Sequence, residues 1–222
     1  MTAAVLFDLD GVLLDSKSAM LAALAGVATA CLGRRVTIAD LPVAAATRSR
    51  REVLASLGVP DPDVICGAWW DPALATAAGA LFPGVLDGLR AIKGSGAATG
   101  LVTLQARYRL PWLLPPAALA LLDVTVCWED ARPKPAPDGV LLALTRLGVA
   151  PTEAVFIGDT EGDIAAALAA GVTPIGASWG YTGPAALTDA GAVVVLDDPT
   201  QLGPAVLDHL AGSLTATRTK RS

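Results

Sequence analysis

The sequence predicts an α/β fold: a doubly wound parallel sheet with a Rossmann-like core and a small all-helical cap inserted after the first strand. Three observations predict it. Short apolar runs alternate with helical stretches from Val85 onward, and strands separated by helices are joined by parallel crossovers. Between Ser16 and Leu81 no segment reads as a good strand, so this stretch is expected to be a helical bundle of its own. Polar residues able to do chemistry follow directly after the apolar runs, at the carboxyl ends of strands, where open α/β sheets bind ligands.

Each element has its own local signal. Val5-Leu6-Phe7 is the first strand and Gly11 turns the chain after it. Ser18 to Leu32 is an Ala/Leu-rich helix stopped by Gly33. Ser49-Arg50-Arg51-Glu52 has the form of a capping box and opens a second helix, which Gly58 and Pro60 close. A third helical stretch covers Asp61 to Ala80 and is expected to break at Asp71-Pro72. Phe82-Pro83-Gly84 returns the chain to the core. There a helix at Val85–Lys93 precedes strands at Ala97–Thr103 and Val124–Trp128. A helix at Pro137–Leu147, a strand at Ala154–Ile157 and a helix at Gly162–Ala170 follow. Strands at Val172–Ile175 and Ala192–Leu196 finish the sheet. The expected division is residues 1–15 and 82–212 for the catalytic core, 16–81 for the cap, and 213–222 for a polar, disordered tail.

Composition narrows the classes. A chain of 222 residues that is 53% hydrophobic and 17% charged can bury a full core and is not a disordered one. A net charge of −5 argues against nucleic acid as a partner. Any anionic substrate must then be attracted by local cations or a metal. Apolar stretches at Ala19–Leu32 and Leu110–Val126 are too short or too interrupted to span a membrane. The N-terminus carries no basic region before its apolar run, so no targeting segment is expected. Cys31, Cys66 and Cys127 are odd in number and unspaced for zinc, which suits a reducing cytoplasm.

The chemistry-bearing residues come in a consistent order. Asp8 and Asp10 are one residue apart at the end of the first strand, and alternation would point both the same way. An aspartate can attack phosphorus, and a neighbouring one can protonate the leaving group. Thr103 ends the Leu101-Val102 run. Lys134 lies in a loop stiffened by Pro133, Pro135 and Pro137, and Asp159 and Asp163 follow Val155-Phe156-Ile157-Gly158. Plainer readings stand beside these. The acid pair could be turn residues, Thr103 an ordinary strand residue, Lys134 a solvated lysine, and Asp163 a helix cap.

Taken together, Phe7-Asp8-Leu9-Asp10-Gly11-Val12-Leu13, the strand end at Thr103, Lys134-Pro135-Ala136-Pro137-Asp138 and Gly158-Asp159-Thr160-Glu161-Gly162-Asp163 resemble the haloacid dehalogenase-like superfamily. Within it they resemble the phosphoglycolate phosphatase and beta-phosphoglucomutase branch with a small helical cap, and Ser178-Trp179-Gly180-Tyr181 also looks like that branch. The resemblance implies a magnesium-dependent phosphatase acting on a small phosphorylated metabolite. Asp8 would be the nucleophile that becomes phosphorylated. Asp10 would protonate the leaving alcohol and then activate water. Thr103 and Lys134 would hold the phosphoryl oxygens. Asp8, the Asp10 backbone carbonyl and Asp159 would bind magnesium, with Asp163 a further ligand or an anchor behind them.

Asp10 favours phosphate esters, because dehalogenases and phosphonate-cleaving relatives usually lack an acid there. Leu104-Gln105 departs from the pattern, since many relatives follow the Thr103 position with Asn. Related mutases share the acid pair and the cap type, so a phosphosugar mutase is the alternative activity. A catalytically silent binding protein on the same scaffold is a third reading. In the cap, Arg48, Arg50 and Arg51 sit at a helix start where cations oppose the macrodipole; they could be no more than a solvated helix start, but the resemblance implies specificity residues near this part of the cap, which makes Arg50 the candidate for gripping substrate. Trp69 and Trp70 are expected in the cap core, and His209 on a surface helix. No oligomeric state is implied.

Overall fold

In the computed structural model, residues 3–46, 48–76 and 79–210 are described. The chain divides into two units, one formed by Met1–Leu14 and Leu81–Ser222 and the other by Asp15–Ala80.

The larger unit is built on β1 (Ala4–Phe7), whose residues are fully buried, as expected for a central strand covered on both faces. Beyond it the chain coils tightly: the amides of Leu13 and Leu14 both donate to the Leu9 carbonyl, and the Gly11 amide to that of Leu14. β2 (Leu14–Asp15) follows, and the chain passes into the helical unit.

That unit begins with α1 (Lys17–Leu32), ended by Gly33 in the left-handed region, its amide donating to the Thr29 carbonyl. α2 (Arg50–Ser56) opens on the expected capping box: Ser49 Oγ accepts from the Glu52 amide, and Glu52 Oε2 accepts from the Ser49 amide. α3 (Pro62–Thr76) packs against α1 and corrects an expectation, because it runs through Pro72 without ending. Trp70 and Leu74, one turn apart, are both 2% exposed, and their burial outweighs the hydrogen bond that Pro72 removes. Trp69 corrects another: it is 50% exposed, because it stands about 100° round the helix from Trp70.

β3 (Ala80–Leu81) pairs with β2 in a separate two-stranded sheet. α4 (Val85–Gly94) leads to β4 (Ala98–Val102). Two single-turn helices that the sequence reading left out, α5 (Leu110–Leu113) and α6 (Pro116–Leu119), fill the crossover to β5 (Val124–Val126). β5 stops before Trp128 because the Cys127 amide turns to the Asp130 carboxylate. α7 (Asp138–Leu147), β6 (Ala154–Gly158), α8 (Glu161–Ala169), β7 (Thr173–Ala177), α9 (Pro184–Asp189) and β8 (Val194–Leu196) complete the alternation. Residues 204–210 are helical and His209 is half-buried there, not fully on the surface. The tail expected to be disordered lies outside the described residues.

All six core strands are parallel, in the order β5-β4-β1-β6-β7-β8. On one face Ala4, Leu6 and Phe156 join Val140, Ala143 and Leu144 of α7 and Ala166 and Ala167 of α8 in a single cluster. The chain builds outward from β1 through β4 and β5, then returns to β1 and builds the other way from β6. The reversal leaves a crevice at the carboxyl ends of β1 and β6, the usual ligand position in such sheets. Among the described residues no helix is long and apolar enough to cross a membrane.

Candidate active site

Asp8 leaves β1 at the point of reversal, its amide still bonded to the Ile157 carbonyl at 2.9 Å. Asp159 leaves β6 beside it. On the other flank Thr103 follows β4, with its amide donating to the Val126 carbonyl. Lys134 arrives from the loop between β5 and α7, which Arg132 and Asp138 close through a 2.7 Å hydrogen bond. Asp163 comes from the first turn of α8.

Lys134 ties the cluster together. Its ammonium is 2.8 Å from Asp8 Oδ1 and 2.5 Å from Asp163 Oδ1, donates to the Val102 carbonyl, and lies over the Phe156 ring. Burial of its side chain opposes the charge, but Asp163 and Asp8 outweigh that and push its pKa up, so it is a permanent cation here. Burial acts the other way on Asp8, pushing its pKa up to about 7 against the pull of Lys134. Asp159 is raised well above the usual carboxylate range, first by burial and then by the charges of Asp8 and Asp163.

The backbone fits closely around these acids. Asp159 is fully buried and its Oδ2 accepts from the Tyr181 amide at 2.7 Å. A Cβ on Gly11, which has φ +83°, or on Gly180 would collide with the Asp159 carboxylate. Trp179 Nε1 donates to the Val12 carbonyl, pinning the coil after β1. Asp163 Oδ2 accepts from the Asp159 and Thr160 amides and the Thr160 hydroxyl, completing the capping box of α8. Capping and ion pairing therefore coexist in Asp163, with one oxygen given to each.

One carboxylate oxygen from each of Asp8, Asp159 and Asp163 can be chosen so that all lie within 4.8 Å of one another. The all-oxygen donor set suits a hard cation such as magnesium, which commonly takes one or two protein carboxylates. Among the described residues, Asp159 Oδ1 is buried with no hydrogen-bond partner, and one ammonium stands against three carboxylates. A divalent cation would resolve both.

The structure thus brings Asp8, Asp10, Thr103, Lys134, Asp159 and Asp163 to one sheet edge. Arg50 belongs to the other unit, where its guanidinium stacks on the Trp70 ring at 4.6 Å. Sequence reasoning missed Gln105 as a participant. Its amide donates to Thr103 Oγ1 at 3.1 Å and its side-chain Nε2 to Asp10 Oδ2 at 2.8 Å. The signal was the departure from the family pattern at Leu104-Gln105, which marked the position without giving Gln105 a role.

Residues 2–171 match the model of a protein family, the haloacid dehalogenase-like hydrolases. The chain belongs to this family. It is 35% identical over 190 residues to a phosphoglycolate phosphatase of Xanthomonas campestris pathovar campestris, covering 80% of this chain and 84% of that one. A haloacid dehalogenase family hydrolase of Deinococcus radiodurans, solved with phosphate and sodium bound, superimposes with a TM-score of 0.76. It shares 28% identity over 96% of this hydrolase and 97% of its own chain. A Thermotoga maritima protein described as a candidate beta-phosphoglucomutase gives 0.73 at 25% identity, covering 93% and 99%.

Proposed function

We propose that this hydrolase is a magnesium-dependent phosphatase that cleaves a small phosphorylated metabolite through an aspartyl-phosphate on Asp8. The observation that carries the reading is the buried Asp8–Lys134 pair beside Asp159 at the reversal of the sheet. A carboxylate oxygen of Asp8 attacks phosphorus as the ester P–O bond breaks, and Asp10 gives its proton to the departing alkoxide. Asp10, now a carboxylate, takes a proton from water. That water oxygen bonds phosphorus, the acyl-phosphate bond breaks, and inorganic phosphate leaves.

Thr103 and Lys134 donate to the transferring phosphoryl oxygens, and Lys134 also holds the charge of Asp8. Asp8, the Asp10 carbonyl and Asp159 hold magnesium, with Asp163 anchoring Lys134 and the start of α8. The metal supplies positive charge that lets a phosphate approach three carboxylates. A phosphatase-named relative supports phosphate-ester hydrolysis and puts phosphoglycolate first among the candidate substrates. Residues 16–81 act as the cap, which sets substrate choice through Arg50. Three free cysteines fit a cytoplasmic setting.

Phosphate release from a panel of esters, with magnesium and with chelator, tests the reading. Metal-dependent turnover of at least one small aliphatic ester is expected, and no metal-dependent release from any member contradicts it. Run on Arg50→Ala, the same panel should show KM rising at least tenfold for the best substrate and far less for an aryl phosphate. Equal changes remove Arg50 from substrate choice.

The likeness to the Thermotoga protein favours one second reading, a phosphosugar mutase. Incubation with a hexose 1-phosphate and a bisphosphate primer separates the two. Accumulating 6-phosphate supports the mutase, and inorganic phosphate alone supports the phosphatase. A silent binding protein would gain no magnesium-dependent stability from beryllium fluoride.

A further inference from the structure

Gln105 sits at the departure from the family's usual pattern after Thr103, and it is only 7% exposed although it follows a strand end. Its side chain is held at both ends. Oε1 accepts from Arg109 Nη1 at 3.1 Å and Nε2 donates to Asp10 Oδ2 at 2.8 Å. A guanidinium can only donate, so Arg109 fixes Oε1 as the acceptor and leaves Nε2 to donate to Asp10 Oδ2, an oxygen that can accept while Oδ1 carries a proton. The main chain is held as well, through the bond from the Gln105 amide to Thr103 Oγ1.

The consequence falls on Asp10. Its Oδ2 is engaged by Gln105, while its Oδ1 is buried with no hydrogen-bond partner among the described residues. A general acid must present a protonated oxygen to the departing alkoxide from a fixed direction. We infer that Gln105, itself held by Arg109, is a positioning residue that fixes the Asp10 carboxyl so that Oδ1 serves as the proton-transferring oxygen. This rests on the phosphatase reading above. Arg109, Gln105 and Asp10 then form a chain of three side chains in which only the last touches the reacting atoms.

Such a role has a kinetic signature that a packing role lacks. Departure of an alkoxide needs the proton from Asp10, whereas departure of 4-nitrophenolate scarcely does. kcat/KM reports events up to and including the transfer of phosphorus to Asp8, the step in which the leaving group departs. The experiment compares kcat/KM for an aliphatic phosphate and for 4-nitrophenyl phosphate in wild type and Gln105→Met, which keeps the volume and removes both side-chain hydrogen bonds. Inhibition by inorganic phosphate is measured alongside.

The aliphatic ester should lose at least tenfold more than the aryl ester, with the phosphate inhibition constant within about twofold of wild type. Arg109→Met, which leaves Gln105 in place, should show the same bias more weakly and guards against a misfolded first variant. Equal losses for the two esters, or a phosphate inhibition constant that rises with them, overturns the assignment while leaving the phosphatase standing. A wild-type enzyme that releases phosphate from neither ester overturns the phosphatase reading, and this assignment with it.

Discussion

Lys134 is the residue on which the site's electrostatics turn. Its side chain is 7% exposed and touches two buried carboxylates, so removing the ammonium leaves those charges without their partner. Breaking a buried ion pair from one side costs more than the pair contributes, on the order of 3 kcal/mol. Lys134→Met should therefore lower the metal-free melting temperature and cut kcat/KM by at least ~100-fold. Magnesium should recover more stability in the variant than in wild type. Calorimetry with and without the metal checks this, and an unchanged metal-free melting temperature would show that Lys134 does not balance the acids. Gln105 works through polar contacts of the same short range, but it links positions 95 residues apart in the chain.

At the scale of elements, the loops after β1 and β7 form a mould for Asp159. Gly180 is the sharper probe of the two glycines in it, because Gly11 also has a positive φ that an added side chain would strain. Gly180→Ala places a methyl group against the Asp159 carboxylate. Magnesium affinity should fall at least tenfold, with the metal-free melting temperature changed much less; titration calorimetry measures the first and thermal unfolding the second. Unaltered affinity would remove Asp159 from the metal.

Elements with short-range signals were legible in the sequence. The parallel alternation, the Ser49–Glu52 capping box, the placement of Asp8 and Asp159 at strand ends and that of Lys134 in a proline-flanked loop all follow from spacing within a few residues. Contacts made by distant parts of the chain were not. The bond from Trp179 to the Val12 carbonyl spans 167 positions, and Gln105 is silent until the fold brings Asp10 to it. Pro72 and Trp69 misled for a related reason: whether a helix survives a proline, and which tryptophan faces inward, depends on the surface it packs against.

For the molecule as a whole, the buried acids link stability to pH. An unfolded aspartate loses its proton near 3.8, whereas Asp8 in the fold keeps it up to about pH 7. Between these values the folded chain binds more protons than the unfolded one, so stability falls as pH rises, by up to ~1.4 kcal/mol per pH unit for each such group. Asp159 acts in the same direction. The surface acids Asp123 and Asp130 have lowered pKa values and act only below that window. The metal-free melting temperature should therefore drop from pH 5 to pH 7.5. Magnesium competes with these protons, so the increase it brings should be larger at pH 7.5 than at pH 5. A magnesium increment that shrinks over that interval would contradict the arrangement.

If phosphorus passes through Asp8, the aspartyl-phosphate can be trapped during turnover. A hydrolysed substrate labelled with radioactive phosphate is mixed with enzyme and quenched in acid within milliseconds, and the labelled peptide is mapped. A magnesium-dependent, hydroxylamine-labile label is expected on the peptide carrying Asp8. Asp8→Asn should lack both the label and at least ~1,000-fold of the turnover. Turnover that survives in Asp8→Asn, or a label that maps to another residue, would contradict phosphoryl transfer through Asp8.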